Sequence, residues 1–400
     1  MVLVLIGSLY PSLAMAAPPV RVGIDVLLSE RIELVQDKRL GLLTNTSAID
    51  ADGTTTMYRL AHEPRVRLTQ LYSPEHGLRL SGANGVGDRS GRDAVTGLPL
   101  EGLNSYGAPS GRSLKNIDVL VVDIQDVGSR TFTYATTLGK VLGAAGHAGV
   151  PVLVLDRPNP QGGEIFEGPV IPRQHRGILG WGPVPVTHGL TLGELARFLN
   201  DEMQLRAHVT VVPMAGWHRS MTWEDTGLRW AMPATAVTTP QQAHLYAAAG
   251  MVGGAGIDQL DDGVCDLHFF ERIAAQYADP TQMAQALRQA NLPGVAFEPA
   301  RYIGRWGPRT GRRYAGVALQ VSDPHVFRPL TTALAALVWL RQTYPKQFRV
   351  GNKSLFLHIW GSDAVLHGLE QGWSRARIEA SWATELAQFS QKRQKYLLYH

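Results

Sequence analysis

The chain has 400 residues, 44% of them hydrophobic and 18% charged, a globular composition with room for two domains. Its formal net charge of +4 is scattered rather than gathered in blocks, which gives no ground for a nucleic-acid binder. A single cysteine, Cys265, excludes an intrachain disulfide; the fold must rest on its core, and Cys265 itself reads as a buried apolar filler.

The opening run, MVLVLIGSLYPSLAMAAPP, is uncharged and apolar and closes on Ala14-Met15-Ala16. That is the pattern of a secretory signal, so residues 1–16 are expected to be cleaved and the remainder exported, with a bacterial periplasm as the compartment. The run contains Pro11 and is shorter than the ~20 apolar residues a spanning helix needs; no stable membrane span is expected.

From residue 39 the chain alternates strand and helix patterns. RLGLLTN (39–45) and VRLTQLYS (66–73) read as strands around a helix over 54–63. IDVLVVDI (117–124) and VPVLVLD (150–156) are continuous apolar runs that suit strands buried on both faces. A helix over 133–149 lies between them. A further helix over 191–202 opens with Thr191 and Glu194 at capping-box spacing, and HVTVVPM (208–214) closes the series. Short links between β and α elements imply a parallel sheet with helices on both faces. The fold class is therefore α/β: a Rossmann-like domain over 17–205, then a smaller α+β domain over 206–400. The glycine-rich stretch 82–92 lacks the G-x-G-x-x-G spacing and reads as a surface loop. In the second half, 314–323 reads as a strand, 328–345 as an apolar helix and 373–399 as one long amphipathic helix.

Three strands end in polar clusters. SPEHGLR supplies Glu75, His76 and Arg79; DIQDVGSR supplies Asp123, Gln125, Asp126 and Arg130; DRPNPQGG supplies Asp156, Arg157 and Asn159. In an open parallel sheet these ends share one edge, where ligands bind. Each aspartate alone would be a turn or capping residue, and Arg130 and Arg157 are equally suited to pairing with protein carboxylates. Glu164, Glu167 and His188 follow downstream. H-E-x-x-H, zinc-spaced Cys/His, G-x-S-x-G and a Walker A loop are all missing from the sequence, and no cofactor is expected. The remaining chemistry belongs to carboxylates, His, Arg and Tyr, and paired carboxylates with arginines suit hydrolysis of an anionic sugar.

SPEHG, DIQDVGSRTFTY, VLDRPNPQGG, EGP, HGLTLGELA and the terminal YLLY together resemble a bacterial family of exo-β-N-acetylmuramidases (glycoside hydrolase family 171). The resemblance runs from about residue 20 to the C-terminus and is densest over 39–200. It implies a Rossmann-like domain joined to a smaller one with the site between them. It also implies release of N-acetylmuramic acid from the non-reducing end of peptidoglycan-derived saccharides. By motif, the catalytic glutamate falls on Glu75, suited to general-acid duty. The second group is Asp126, Glu167 or Asp123, or the sugar's own 2-acetamido group. Arg79, Arg130 and Arg157 are candidates for the lactyl carboxylate, and His76, Gln125, Tyr134, Asp156, Asn159 and His188 for further substrate contacts.

The chain departs from the family pattern after Trp230. Where the family reads P-S-P-N-x-P-T, then E-G-T-N and S-E-G-R-G-T, this chain reads WAMPATAVTTP and GGAGIDQLDDG. Asp258, Asp261 and Asp262 there either partly substitute for the missing polar residues or are simply loop acids, the second being the plainer reading. The departure implies an alternative function: a non-catalytic or altered-specificity binder of cell-wall sugar fragments.

Overall fold

The computed structural model describes residues 20–82, 86–104, 107–305 and 307–400; the signal expected over 1–16 lies outside them. After α1 (Gly23–Glu30), the chain runs through β1 (Arg39–Thr44), α2 (Thr56–Ala61), β2 (Arg67–Pro74), β3 (Gly91–Arg92) and β4 (Pro99–Asn104). It continues through α3 (Gly111–Leu114), β5 (Val119–Asp123), α4 (Thr133–Ala148), β6 (Val152–Leu155), α5 (Leu192–Glu202) and β7 (Val209–Val212). These strands form a seven-stranded sheet in the order β3-β4-β2-β1-β5-β6-β7, parallel except for the β3–β4 pair.

The apolar runs in the middle of this sheet are buried on both faces. Val119 and Val121 point to one side, with Leu40, Leu42, Leu153 and α1 residues Ile24 and Leu27. Leu120 and Val122 point to the other, with Val152, Val154 and helices α4 and α5. The period of two sorts one strand between two cores, and each fully buried aliphatic side chain contributes about 1.5–3 kcal/mol. The Thr191–Glu194 capping box opens α5 as the spacing predicts, and Gly149, in the left-handed region at φ 69°, closes α4.

The second region contains α6 (Pro240–Gly253), β8 (Leu260–Asp261), β9 (Arg272–Ala275), α7 (Pro280–Gln289), β10 (Val295–Ile303) and β11 (Arg313–Val321). It ends with α8 (Pro329–Thr343), α9 (Lys353–Trp360), α10 (Asp363–Glu370), α11 (Arg375–Ala380) and α12 (Ala383–Arg393). Its four strands form an antiparallel sheet in the order β10-β11-β9-β8. One hydrophobic core runs without a break from α4 and α5 into α6, α8 and α9, so the two regions are packed as one body. Cys265 is buried beside Tyr302 and Tyr314.

Two expectations are corrected. A boundary near residue 205 cuts off β7, which pairs with β6 and belongs to the first sheet; the second sheet starts at Leu260. The single long helix over 373–399 is broken: α11 stops at Ala380, where Ser381 donates its hydroxyl to the Ile378 carbonyl at 2.6 Å, and α12 starts only at Ala383. A hydroxyl bonding back to its own turn competes with continuation of the helix.

After α12 the chain makes one 3-10 turn, Gln394–Tyr396, and then extends, and the end of α12 and this tail are held by partners in the first region. Arg393 donates to the carbonyls of Gly163, His188 and Gly189. The Leu398 amide donates to Glu194, and the Tyr399 hydroxyl donates to Asp156 at 2.6 Å while accepting from the Met214 amide. Asp156 also receives the Thr191 hydroxyl and the Gly193 and Arg157 amides. Burial nevertheless pushes its carboxyl up to about 6. Tyr399→Phe removes one donor from this buried carboxyl. It is expected to lower the unfolding free energy by about 1–3 kcal/mol, read as a lower urea midpoint at unchanged slope. A midpoint equal to that of the unaltered chain would show that Asp156 does not depend on this hydroxyl.

Candidate active site

The strand order places the carboxyl ends of β2, β1, β5 and β6 side by side, so the three polar loops share one edge. A cleft of about 350 Å³, within the range of small-ligand sites, opens between this edge and the second region. Its first wall is Glu75 and His76 after β2, with Thr131, Phe132 and Thr133 leading into α4. The facing wall comes from Ala234, Ala236 and Val237 before α6, Gly250, Gly253 and Gly254 on α6, Asp262 and Val264 after β8, and Arg309 between β10 and β11.

The Glu75 carboxylate is 6% exposed and accepts the Thr133 hydroxyl on Oε2 at 2.5 Å. A tight turn presents it. His76 and Gly77 both have positive φ, 69° and 80°, and a Cβ at Gly77 would meet the Asp88 carboxylate at 2.6 Å. Backbone bonds from His76 to Val86 and from Gly82 back to His76 close the turn, and the His76 ring bonds the Gly82 carbonyl through Nδ1. A non-glycine residue in this region is uncommon and is tolerated where the surroundings over-determine it.

Tyr134 stands behind this turn rather than in the cleft. Its hydroxyl accepts from Asn45 at 2.6 Å, donates to the Pro233 carbonyl at 2.7 Å and lies 3.4 Å from the Glu75 carbonyl. Burial, then the charge of Glu75, raises its phenol, so it stays protonated.

The other candidates are placed away from the cleft wall. Arg79 pairs with Asp93 at 2.6 Å. Arg157 forms a two-toothed pair with Asp123, which also accepts the Thr56 hydroxyl; the pair is 3% and 0% exposed and ties α2 to the strand ends. Arg130, 1% exposed, donates to the carbonyls of Pro169, Val184 and Ile359, and burial pushes its guanidinium down to about 9. Gln125 binds the carbonyls of Asp126 and Pro158, and Asn159 organises its own loop through Leu190 and Gln161.

Asp126 accepts the Gly128 amide at 2.6 Å, and burial pushes its carboxyl up to about 7. His188 Nε2 is 4.0 Å from it, too far for a hydrogen bond, and burial pushes that imidazole down to about 3. Glu167 caps α8: it accepts the Leu330 amide and the Thr331 hydroxyl, and burial pushes it up to about 7.

Thus Glu75 and His76 are the sequence-derived candidates on the cleft wall. Thr133 and Arg309 are additions from the structure, and of the three aspartates in the divergent stretch Asp262 lines the cleft. Asp261 ends β8 and Asp262 follows it in the loop, and both are buried. Asp261 accepts from Arg309 at 2.5 Å, from the Tyr302 hydroxyl at 2.6 Å and from the Gly263 amide at 2.8 Å. Burial, then the charge of Asp261, pushes Asp262 up to about 6. Arg309 comes from a stretch rich in arginine and glycine with no motif spacing, and only the second sheet brings it to the cleft.

Comparison with known proteins agrees with this architecture. A DUF1343 family protein from Bacteroides fragilis NCTC 9343 superposes with a TM-score of 0.87 at 31% identity, over 96% of this chain and 99% of that one. A second DUF1343 protein from the same organism shares the fold with a TM-score of 0.74 at 24% identity. The chain is 36% identical over 387 residues to the peptidoglycan β-N-acetylmuramidase NamZ of Bacillus subtilis (strain 168), covering 96% of this chain and 92% of that protein. The family description "Exo-beta-N-acetylmuramidase NamZ, N-terminal" matches residues 40–241, and its C-terminal counterpart matches residues 244–399. With both halves matched in order, the chain belongs to the exo-β-N-acetylmuramidase NamZ family.

Proposed function

We propose that this protein is an exo-acting glycoside hydrolase that releases N-acetylmuramic acid from the non-reducing end of peptidoglycan fragments, with Glu75 as general acid. One observation carries the reading: a glutamate held by a hydroxyl at the start of α4 stands on the wall of a cleft of small-ligand size, at the carboxyl edge of the parallel sheet. In this role the protonated Glu75 gives its proton to the glycosidic oxygen as the bond to the anomeric carbon breaks. Thr133 fixes the rotamer of the carboxyl, and the His76–Gly77 turn fixes its backbone. Among the described residues the other carboxyl on the cleft wall is Asp262, which sits with the Arg309–Asp261 pair. That commitment favours the sugar's 2-acetamido group as the internal partner in the reaction. Cleavage of an apolar leader and export to the periplasm complete the proposal.

A second reading is a binder of cell-wall sugars without turnover. It is favoured by the small, apolar wall of Ala234, Ala236, Val237, Gly250, Gly253 and Gly254 in the stretch that departs from the family pattern.

Glu75→Gln decides between them. On a chromogenic β-N-acetylmuraminide, the unaltered chain is expected to turn over and Glu75→Gln to lose about 10²–10⁴ in rate while still binding N-acetylmuramic acid. Full activity in the variant would remove Glu75 from the chemistry, and binding without turnover in the unaltered chain would establish the binder. Thr133→Val keeps the carboxyl and removes its anchor. It is expected to lower kcat by about tenfold with KM little changed, measured on the same substrate.

A further inference from the structure

The three arginines that the sequence offers for an anionic sugar are engaged elsewhere: Arg79 on Asp93, Arg157 on Asp123 and Arg130 on three backbone carbonyls. Among the described residues lining the cleft, Arg309 is the only arginine or lysine. It reaches the cleft from the β10–β11 connection and stands on the wall built by the second region, whereas Glu75 stands on the first.

Its guanidinium is held rather than loose. Nη1 donates to Asp261 at 2.5 Å and Nη2 to the Gly253 carbonyl at 3.1 Å. Asp261, fully buried, is itself fixed by Tyr302 and by the Gly263 amide. The Arg309 side chain nevertheless remains 31% exposed. A guanidinium has five N–H donors in a rigid fork, so two anchored contacts leave further donors for a planar anion. A lysine ammonium in its place would carry charge without that fork.

We propose that Arg309 is the specificity-determining residue of this cleft, binding the carboxylate that distinguishes N-acetylmuramic acid from the neutral N-acetylglucosamine, with Asp261 as its positioning residue. The inference rests on the reading of the cleft as the sugar site. The two sugars differ by one lactyl ether, so a site that discriminates them must meet that carboxylate with a cation. Asp262 stands 3.8 Å from Arg309 on the same wall, and burial, then the charge of Asp261, raises its carboxyl to about 6, which weakens its hold on the guanidinium.

The test is binding rather than turnover, so that it stands apart from the glycosidase reading. Calorimetric Kd values for N-acetylmuramic acid and N-acetylglucosamine are measured on the full chain, on Arg309→Gln and on Arg309→Lys. The unaltered chain is expected to prefer N-acetylmuramic acid, and Arg309→Gln to lose about 30-fold in that affinity with the neutral sugar unchanged. Arg309→Lys is expected to recover part of the loss. Because Arg309→Gln leaves Asp261 buried without its cation, the double variant Asp261→Asn/Arg309→Gln, which removes both charges, is measured in parallel. An unchanged ratio of the two affinities in the folded variants, or no preference in the unaltered chain, overturns the proposal. Hydrolysis of the chromogenic muraminide by the unaltered chain is scored separately. If hydrolysis is absent but the Arg309-dependent preference is present, the glycosidase reading falls and this inference stands.

Discussion

The hydroxyl of Tyr134 holds the two walls of the cleft to each other. It accepts from the Asn45 side-chain amide after β1, donates to the Pro233 carbonyl in the connection to the second region, and lies against the backbone of Glu75. A phenol in this place must stay neutral to serve as both donor and acceptor, and its burial ensures that it does. The turn that carries Glu75, the start of α4 and the irregular connection before α6 therefore share one buried oxygen. Any change in the spacing of the walls is felt there, because a buried donor or acceptor that loses its partner costs the full desolvation of the group.

Charge in this protein is divided between joints and site. Arg157 with Asp123, Arg219 with Glu194, and Arg130 on its carbonyls are all deeply buried and connect elements distant in sequence. Buried ion pairs of this kind add little net stability over an apolar equivalent but are costly to break, so they act as registers that define one arrangement of loops. Arg130 reaches furthest, since its bond to the Ile359 carbonyl spans 229 positions and joins the two regions directly. Arg309 differs from them in geometry: it is anchored on one side and open to the cleft on the other.

Much of the first region is legible in the sequence because its signals are local. Continuous apolar runs mark β5 and β6, the Thr191–Glu194 box marks the start of α5, and the alternation of elements implies a parallel sheet. The shared edge follows from topology, and Glu75 is found from its motif. The same residue types mislead where their partners are remote. Arg157 looks like a ligand residue after a strand, yet its partner Asp123 is 34 positions away at the end of the neighbouring strand. Glu167 looks like a second acid, yet it caps a helix that begins 162 positions later, at Pro329. Arg309 gives no local signal, because what qualifies it is a sheet register that no short window contains. The tail after α12 fails for the same reason: its periodicity is helical, but its anchors are Glu194 and Asp156.

Those anchors bear on the order in which the molecule can be completed. Asp156 lies at the end of β6, and one of its donors, Tyr399, is 243 positions further on, next to the last residue. The strands of the first sheet pair among themselves, but one partner of the Asp156 carboxyl is a contact of very long sequence separation, and loop-closure entropy makes such contacts costly to form. The carboxyl edge of the first sheet is therefore finished by a donor from the far end of the second region. Loss of Tyr399 would place its defect not at the tail but at the end of β6, beneath the loop that begins at Arg157.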